Sequence, residues 1–386
     1  MAPPEPAPGL SAALRERAHA LGADHVGIAP AVPPPLERGG PEAYLAWIAK
    51  GLHGEMGYMA RSPEDRSDIT RWFPPARSVV VAAFSYPGLN ALPKEPGHGC
   101  PPGSNQYPGL DAFPDRPGAG RIARYALPPD YHDELKGRMK RLLEWYVENA
   151  PPPRERSTGQ GPSSRAKATP RGKVFSDTSP VLERLYARCA GVGWVGKNTM
   201  IVSRRVGSFF LLAGLAVDRE LAYDQPVGDR CGSCDRCLKA CPTGALRGPR
   251  VLDASRCVSY LTIEKRRGSI PEKLRAGHGA WIFGCDVCQE VCPWNRFSPR
   301  TPALAARLPA TADLEALAGL TAEEFRERFR GTPLHRTGHP ALLRNALLGM
   351  GNSGDPRHRP TLERFSGHED PVLAEQARWS LKKTRI

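Results

Sequence analysis

The sequence predicts a multidomain protein of the α+β or α/β class, and three regions of different character support this prediction. Residues 1–225 alternate short apolar strands with amphipathic helices, as mixed α/β domains do. A compact group of cysteines follows between residues 231 and 292, and the chain after about residue 302 has apolar residues at helical spacing. With 386 residues, the chain is long enough for two or three domains.

The individual elements of the first region can be assigned from their patterns. Residues 10–30 predict an amphipathic helix that runs into the strand HVGIAP, and residues 41–60 predict a second helix. VVVAAFSY at 79–86 has the short, valine-rich pattern of a buried strand, and a helix follows at about 130–149. The region ends with the strand KVFSD, the helix PVLERLYARCAGVG and the strands TMIVSR and GSFFLLAGLAV.

Two segments of the first region have the composition of loops. Residues 87–120 are rich in Pro and Gly, which predicts a long irregular connection. Residues 151–173 contain six basic residues and one acidic residue among Pro, Ser and Gly, which predicts a flexible insertion. This insertion is either a tolerated loop without a function or a contact for nucleic acid, and its composition does not decide between them.

Charge and hydropathy bear on location and partners. The formal net charge of +14 reflects either an arginine-rich composition without a partner or a polyanionic partner, since clustered Lys and Arg attract phosphates. No run of about 18 apolar residues is present, so we expect no membrane-spanning helix. The N-terminus shows neither a secretory nor a twin-arginine signal, which predicts a cytoplasmic protein. Closely spaced cysteines in that reducing compartment indicate metal binding rather than disulfides.

The cysteine spacing predicts two [4Fe–4S] clusters. Cys231-x2-Cys234-x2-Cys237-x3-Cys241-Pro is the bacterial ferredoxin run, in which the fourth cysteine ligates the other cluster. A second group, Cys285-x2-Cys288-x3-Cys292-Pro, lacks one ligand, and Cys257 between the groups supplies it. The ligand sets are then Cys231, Cys234, Cys237 and Cys292 for one cluster, and Cys241, Cys257, Cys285 and Cys288 for the other.

Structural zinc is the alternative for these cysteines, because zinc also uses C-x2-C pairs. The longer run ending in Cys-Pro, present twice in one segment, favours iron–sulfur clusters. Of the remaining cysteines, Cys189 lies on an apolar helix face and is expected in the core, and Cys100 lies in the long loop. GVGWVGKN at 191–198 has the wrong glycine spacing for a dinucleotide or P-loop site.

Several longer motifs resemble the epoxyqueuosine reductase family, whose members are cobalamin-dependent enzymes that complete the queuosine base in tRNA. The resemblance covers nearly the whole chain. It is carried by HGEMGYMARSP at 53–63, RYALPPDYH at 124–132, FSDTSPVLERLYA at 175–187, AGVGWVGKNTMIVSRRVGSFFLLAGLAVD at 190–218, CVSYLTIEKRRGSIP at 257–271, GCDVCQEVCPWNR at 284–296 and HRTGHPALLRNALLGMGN at 335–352.

The resemblance implies a domain organisation. Residues 1–225 would form a cobalamin-binding α/β catalytic domain, and residues 226–300 a ferredoxin-like domain with both clusters. Residues 301–386 would form a helical, HEAT-like repeat domain that binds tRNA. Residues 300–386 hold 14 Lys and Arg against 10 Asp and Glu, a modest excess for phosphate contact. In it, the family's helical repeat begins around His335, Arg336, His339, Arg344 and Asn345.

The resemblance also implies a reaction and its acid. Epoxyqueuosine at the wobble position of tRNA would be reduced to queuosine, the last step of queuosine biosynthesis, with electrons from the clusters and cobalamin. Asp177 matches the family's proton donor, and we expect burial to raise its pKa so that it carries a proton near neutral pH. Without the resemblance, Asp177 would be interpreted as the N-cap of a helix starting at Val181.

The resemblance implies further cobalamin contacts and partners. The cobalamin set, besides Asp177, comprises Arg61, Ile201, Leu212, Ser259 and Arg266. The partners are tRNA carrying epoxyqueuosine and an unidentified electron donor, and we expect a monomer. A reductive dehalogenase acting on a small organic substrate is the alternative enzyme, because it would share the clusters and the corrinoid. A non-enzymatic electron carrier of ferredoxin type would leave most of the chain unexplained.

Overall fold

The structure is a computed structural model that describes residues 8–34, 40–89, 118–151 and 170–384. Cys100, most of the predicted loop at 87–120 and most of the predicted insertion at 151–173 lie outside the described residues. No helix within the described ranges has the length and apolar character needed to cross a membrane.

The first region contains the predicted helices and strands, with one helix divided. Its helices are α1 (Pro8–Ala20), α2 (Pro41–Ala49), α3 (Gly57–Ala60), α4 (Pro63–Ser67), α5 (Ile69–Trp72), α6 (Tyr131–Asn149) and α7 (Glu183–Cys189). Its strands are β1 (His25–Pro30), β2 (Ser78–Ser85), β3 (Ala119–Ile122), β4 (Gly172–Phe175), β5 (Trp194–Val195), β6 (Ile201–Val202) and β7 (Phe210–Val217). The single helix predicted over 41–60 is wrong, because Gly51 takes a left-handed φ of 65° and ends α2 there.

The main sheet has the strand order β1-β2-β7-β4, and all its pairs are antiparallel. Two fold classes were predicted, α+β and α/β. The antiparallel pairing shows that α+β is correct and α/β is wrong, because the strands that alternate with helices here do not form a parallel sheet. Every residue of β2 is buried, because apolar clusters cover both faces of the sheet. Strand β4 is at the edge, where the ring of Phe175 lies directly over Gly214 of β7.

The cysteine segment is joined to the first region by a second sheet. Its elements are α8 (Arg236–Ala240), β8 (Leu246–Gly248), β9 (Val251–Leu252), α9 (Val258–Ile263), α10 (Glu272–His278), β10 (Trp281–Phe283) and α11 (Val287–Glu290). Strand β10 pairs parallel to β3 of the first region, so the two cysteine groups are held against it.

The predicted helical tail is confirmed. Its elements are β11 (Thr311–Asp313), α12 (Leu314–Ala318), α13 (Ala322–Arg328), α14 (His339–Ser353), α15 (Arg359–Ser366) and α16 (Pro371–Leu381). Helices α14 and α16 approach closely, because Gly351 leaves room for Ser380, whose hydroxyl donates to the carbonyl of Leu347 at 2.8 Å. The core of the tail is continuous with Ile122 and Ile282, so the predicted boundary at residue 301 does not separate two cores.

Candidate catalytic and cluster-binding sites

Four cysteines from two distant stretches of sequence meet around one cavity. Its walls include Cys231, Cys234, Cys237 and Cys292, together with Lys197, Arg236 and Trp294. We call these four the first cysteine group. The cysteine spacing in the sequence assigned these same four residues to one cluster. Cys292 lies more than fifty residues after Cys237, so the chain wraps around this cavity.

The other four cysteines form a deeper set, which we call the second cysteine group: Cys241, Cys257, Cys285 and Cys288. Burial, with the neighbouring thiolate of Cys257, raises the pKa of the Cys285 and Cys288 thiols well above their usual range. Cys241 adds to the raised pKa values of both Cys257 and Cys288. Cys285 also packs in one apolar cluster with Ala240, Val258 and Val287, which directly neighbour Cys241, Cys257 and Cys288 in the chain, so the four cysteines lie close together.

The arrangement of the thiols fits clusters better than single ions. The first cysteine group surrounds a cavity, as expected for thiolates that reach separate iron atoms of a cube. Iron would also supply the positive charge that these buried thiols need in order to ionise.

A second candidate site lies at the end of β4, where Asp177 leaves the edge of the main sheet. Asp177 has a left-handed φ of 48°, a conformation that costs a residue other than glycine roughly 1–2 kcal/mol. Its backbone N–H donates to the carboxylate of Glu183, and Lys136 donates to the hydroxyl of Thr178 at 2.9 Å. The loop is therefore held from both sides.

The side chain of Asp177 does not cap a helix. Helix α7 begins at Glu183, not at Val181, and it has no side-chain cap. Oδ2 of Asp177 instead accepts hydrogen bonds from Nε2 of His132 at 2.6 Å and from the hydroxyl of Tyr131 at 3.0 Å. The N-cap interpretation is wrong, and the carboxylate faces the first turn of α6.

His132 lies between two carboxylates. Its Nδ1 is 2.7 Å from Oδ1 of Asp130, the N-cap residue of α6, and its Nε2 bonds Asp177. The imidazole side chain is 4% exposed and stacks on the ring of Tyr131. A neutral imidazole has only one N–H, so hydrogen bonds to both carboxylates require one additional proton shared by His132 and its partners.

The protonation of this group differs from the sequence prediction. Partial burial raises the pKa of Asp177, but the hydrogen bonds from His132 and Tyr131 outweigh this effect, and the net pKa is lowered. Burial lowers the pKa of His132, but its bonds to Asp130 and Asp177 outweigh it, and the net pKa is raised. The expected raised pKa of Asp177 is therefore wrong, and the proton resides on His132.

Aromatic and charged side chains surround Asp177. Partial burial raises the pKa of the Tyr58 hydroxyl, and the negative charges of Glu264 and Asp177 raise it further. Burial and Asp177 raise the pKa of the buried Tyr125 hydroxyl. Arg336, which is 38% exposed, lies 3.8 Å from Asp130 and helps to lower the pKa of Asp177. The carboxyl group thus lies in a rim of phenols and guanidinium groups.

The predicted cobalamin contacts occupy varied positions. Arg266 lies in this rim, because it acts on the same Tyr58 hydroxyl as Asp177 does. Leu212 is half-buried on β7, and its carbonyl lies 3.4 Å from the hydroxyl of Ser176. Ile201 is 3% exposed within the core. The exposed Arg61 follows α3, and the half-buried Ser259 lies on α9. Their contact with cobalamin stays a prediction.

The residues that the sequence did not single out are Asp130, Tyr131, His132 and Glu183. A signal was present in PPDYH at 128–132, where an N-capping Asp is followed two residues later by His. The spacing marks a helix start but carries no information about a partner nearly fifty residues later in the chain. Only the pairing of β4 with β7 and the packing of α6 bring Asp177 to His132.

The polar residues at the start of the tail have mainly structural contacts. Arg344 is buried and donates to the carbonyls of Leu261, Lys265 and Gly268 at 2.7–3.0 Å. Asn345 donates to the carbonyls of Thr262 and Ile282. These two side chains join the tail to the cysteine segment and are not accessible to RNA.

Comparisons with known proteins agree with this geometry. The family model described as "Epoxyqueuosine reductase QueG, DUF1730" matches residues 66–178, and the "4Fe-4S double cluster binding domain" model matches residues 230–295. The epoxyqueuosine reductase of Pseudomonas aeruginosa is 36% identical over 99% of this chain and 96% of its own length. The chain belongs to the epoxyqueuosine reductase family. Its members are oxidoreductases, and the double-cluster domain binds two iron–sulfur clusters.

Further relatives in the family extend the agreement to structure. The Escherichia coli epoxyqueuosine reductase is 36% identical over 87% of this chain and 80% of its own length. A selenomethionine-labelled epoxyqueuosine reductase crystal structure has a TM-score of 0.79 at 27% identity, covering 98% of this chain and 91% of that one. An epoxyqueuosine reductase with an epoxyqueuosine-modified tRNA-Tyr stem loop has a TM-score of 0.78 at 28% identity, covering 97% and 90%. These relatives favour the predicted family over a reductive dehalogenase.

Proposed function

We propose that the chain reduces epoxyqueuosine to queuosine at the wobble position of tRNA. The observation that carries this proposal is the proton-bearing pair of His132 and Asp177, placed at the exposed end of β4 in a chain that matches the family over nearly its full length. The side chain of Asp177 is 53% exposed, so a substrate can reach it.

The reaction defines what the site must supply. Removing the epoxide oxygen as water, with a carbon–carbon double bond left behind, consumes two electrons and two protons. When bound, the two clusters and cobalamin supply the electrons. The protein must supply one proton to the departing oxygen, because an oxygen that leaves with its full negative charge would make the step slow. The second proton, which completes the water molecule, would come from solvent.

Asp177 delivers the proton to the departing oxygen. Both hydrogen bonds, from His132 and from Tyr131, go to Oδ2 of Asp177. His132 holds the proton at Nε2 and would pass it to Oδ2, and rotation of the partly exposed carboxyl group would then turn the protonated oxygen toward the departing substrate oxygen. Asp130 keeps the imidazole oriented through Nδ1, and the Glu183 carboxylate fixes the Asp177 loop through its backbone N–H.

Cobalamin fits the residues around this site. A large macrocycle with amide side chains requires an apolar surface and polar groups around its edge. The partly exposed Leu212 supplies an apolar contact beside Ser176, and Arg266 lies in the polar rim near Asp177. Arg61, Ser259 and Ile201 complete the proposed set. We assign residues 1–225 to this cobalamin-binding function, 226–300 to the clusters and 301–386 to a helical, HEAT-like tRNA-binding domain.

The substrate would approach from the side on which Arg336 lies. Of the polar residues at the start of the tail, Arg336 is part of the Asp177 rim and is partly exposed. A guanidinium group in that position is suited to a phosphate of the anticodon loop. Support for RNA as substrate comes from the related reductase whose structure contains a modified tRNA stem loop.

A direct test is mass analysis of nucleosides from tRNA that carries epoxyqueuosine. The cluster-loaded protein is incubated with this tRNA, cobalamin and a strong reductant. We expect epoxyqueuosine to decrease and queuosine to increase in equal amounts. Unchanged epoxyqueuosine, with both clusters present and reduced, would contradict the proposed function.

A further inference from the structure

The two cysteine groups differ in their access to solvent. In the first cysteine group, three of the four residues that separate Cys231, Cys234 and Cys237 are exposed, namely Gly232, Ser233 and Arg236. In the second cysteine group, Asp286 and Val287 are buried between Cys285 and Cys288. A redox partner in solution therefore approaches the first cluster more closely than the second.

The second cysteine group lies on the side of the catalytic site. Cys257 directly precedes α9, whose six residues span about 9 Å at the rise of an α-helix. Near the other end of α9, the carbonyl of Thr262 accepts a hydrogen bond from the hydroxyl of Thr337 at 3.5 Å, and the neighbouring Arg336 lies 3.8 Å from Asp130 of the catalytic site. Helix α8, which carries Cys237 of the first group, packs against α11, which carries Cys288 of the second group, so the two groups adjoin. The order from solvent to Asp177 is first group, second group, catalytic site.

Basic side chains surround the opening of the first group. Residues 225–256 contain six Lys and Arg against three Asp. Two of these acids are neutralised by cations, Asp235 by Lys239 at 2.9 Å and Asp229 by Arg250. Arg230 and Arg236 are exposed beside the cysteines, and Lys197 lies in the wall of the cavity. The local field is therefore positive.

An exposed aromatic patch adjoins this basic rim. Trp294 lies in the cavity wall beside Cys292, and its ring is 5.8 Å from the ring of Phe297. Phe297 is 40% exposed, and Trp294 is half-buried, so the two rings form one apolar contact at the surface. A small apolar contact within a charged rim is typical of short-lived complexes between proteins.

We propose that Lys197, Arg230, Arg236, Trp294 and Phe297 form a docking surface for a small acidic one-electron carrier protein. We call them the cluster-one surface. The basic side chains favour an acidic partner, because opposite charges attract. The first cysteine group lies directly beside this surface, which favours a partner that carries electrons. Each docking event moves one electron: the carrier is oxidised by one electron, and the first cluster is reduced by one. Two such transfers supply the two electrons of the proposed epoxide reduction, on which this inference rests.

The test uses the full-length protein loaded with both clusters and flavodoxin as the probe. Calorimetry measures the affinity for oxidised flavodoxin, and stopped-flow absorbance measures the rate at which reduced flavodoxin bleaches the clusters. The test variant is Arg230→Glu/Arg236→Glu. The matched control is Lys140→Glu/Arg141→Glu, which makes the same charge change at exposed positions of α6.

We expect the test variant to lose about tenfold or more in both affinity and second-order rate at low salt, because steering by complementary charge contributes on that scale. The loss should shrink as salt screens the charges, and the control should behave like the unaltered protein. Iron content verifies that the clusters are intact. If the double variant loses clusters, Arg230→Glu alone and Phe297→Ser test the same surface, with a several-fold loss expected from each.

Two results would overturn the proposal. One is equal affinity and rate in the test variant and the control. The other is a test variant that loses affinity for the tRNA stem loop but keeps its affinity for flavodoxin and its rate of reduction, which would make this an RNA-binding surface. Failure of this proposal and failure of the proposed function give different results. If the clusters accept electrons from flavodoxin but epoxyqueuosine persists, only the proposed reaction is contradicted.

Discussion

Nε2 of His132 lies 2.6 Å from Oδ2 of Asp177, and this hydrogen bond makes the two side chains one proton-holding unit. Asp130 completes it at 2.7 Å from Nδ1. The imidazole is buried between two carboxylates, so the charged form of His132 is favoured, and Asp177 remains ionised until it receives the proton. A carboxyl group can in this way act as an acid near neutral pH without a raised pKa of its own.

Asp177→Asn should lower turnover by about 100- to 10,000-fold, the usual contribution of a general acid. The amide has nearly the same shape but cannot deliver a proton to the leaving oxygen. Nucleoside mass analysis measures turnover, and iron content with cobalamin absorbance checks that the cofactors remain bound. Near-full activity in this variant would remove Asp177 from its role.

The pH dependence of turnover should report His132. Since its pKa is raised above 6.5, the proton is present below that raised value, and turnover should fall as pH increases through it. Asp130→Asn removes a supporting negative charge but keeps a good N-cap for α6. The fall in turnover at high pH should therefore occur at a lower pH in this variant than in the unaltered protein. A fall at the same pH in both proteins would show that His132 does not supply the proton.

Cys257→Ser should remove the second cluster and leave the first. The expected iron content per chain falls by about half, because serine replaces a thiolate that iron prefers. Cys189→Ala is the matched control, since Cys189 is buried in the core near Tyr186 and Ala187 and is expected to hold no iron. Full iron content in Cys257→Ser would mean that Cys257 is not a ligand.

Arg344→Met should destabilise the protein by roughly 3 kcal/mol or more, because three buried carbonyls lose a charged donor. Burial lowers the pKa of Arg344 to about 10, so the guanidinium is still charged at neutral pH. Urea unfolding of the cluster-loaded protein measures the change. Arg336→Met, at a partly exposed position, should stay within about 0.5 kcal/mol while weakening tRNA stem-loop binding.

Local patterns in the sequence predicted most of the elements. The valine-rich strand at 79–86 is observed at Ser78–Ser85, and the helix at 130–149 is observed at Tyr131–Asn149. Cys189 lies in the core, as its position on an apolar helix face indicates. The helix over 41–60 is divided, because a glycine in left-handed conformation ends it, and hydrophobic spacing does not report such a break.

These local patterns did not predict how the strands pair. Alternating strands and helices left the α+β and α/β classes open, and the observed main sheet is antiparallel throughout. The reason is that pairing joins residues far apart in the chain, such as Phe175 and Gly214, whose contact depends on shape rather than on local spacing.

The sequence by itself determined the cluster chemistry, the family and the position of Asp177. Cysteine spacing is a local property, since short loops force neighbouring thiolates onto one cube, and counting then assigned Cys257 and Cys292. The tertiary structure decided where the proton resides. The pKa of Asp177 depends on His132 and Tyr131, which reach it only because β4 and α6 fold against the same sheet. Electrostatic interactions fall with distance in space, and distance along the chain does not determine them.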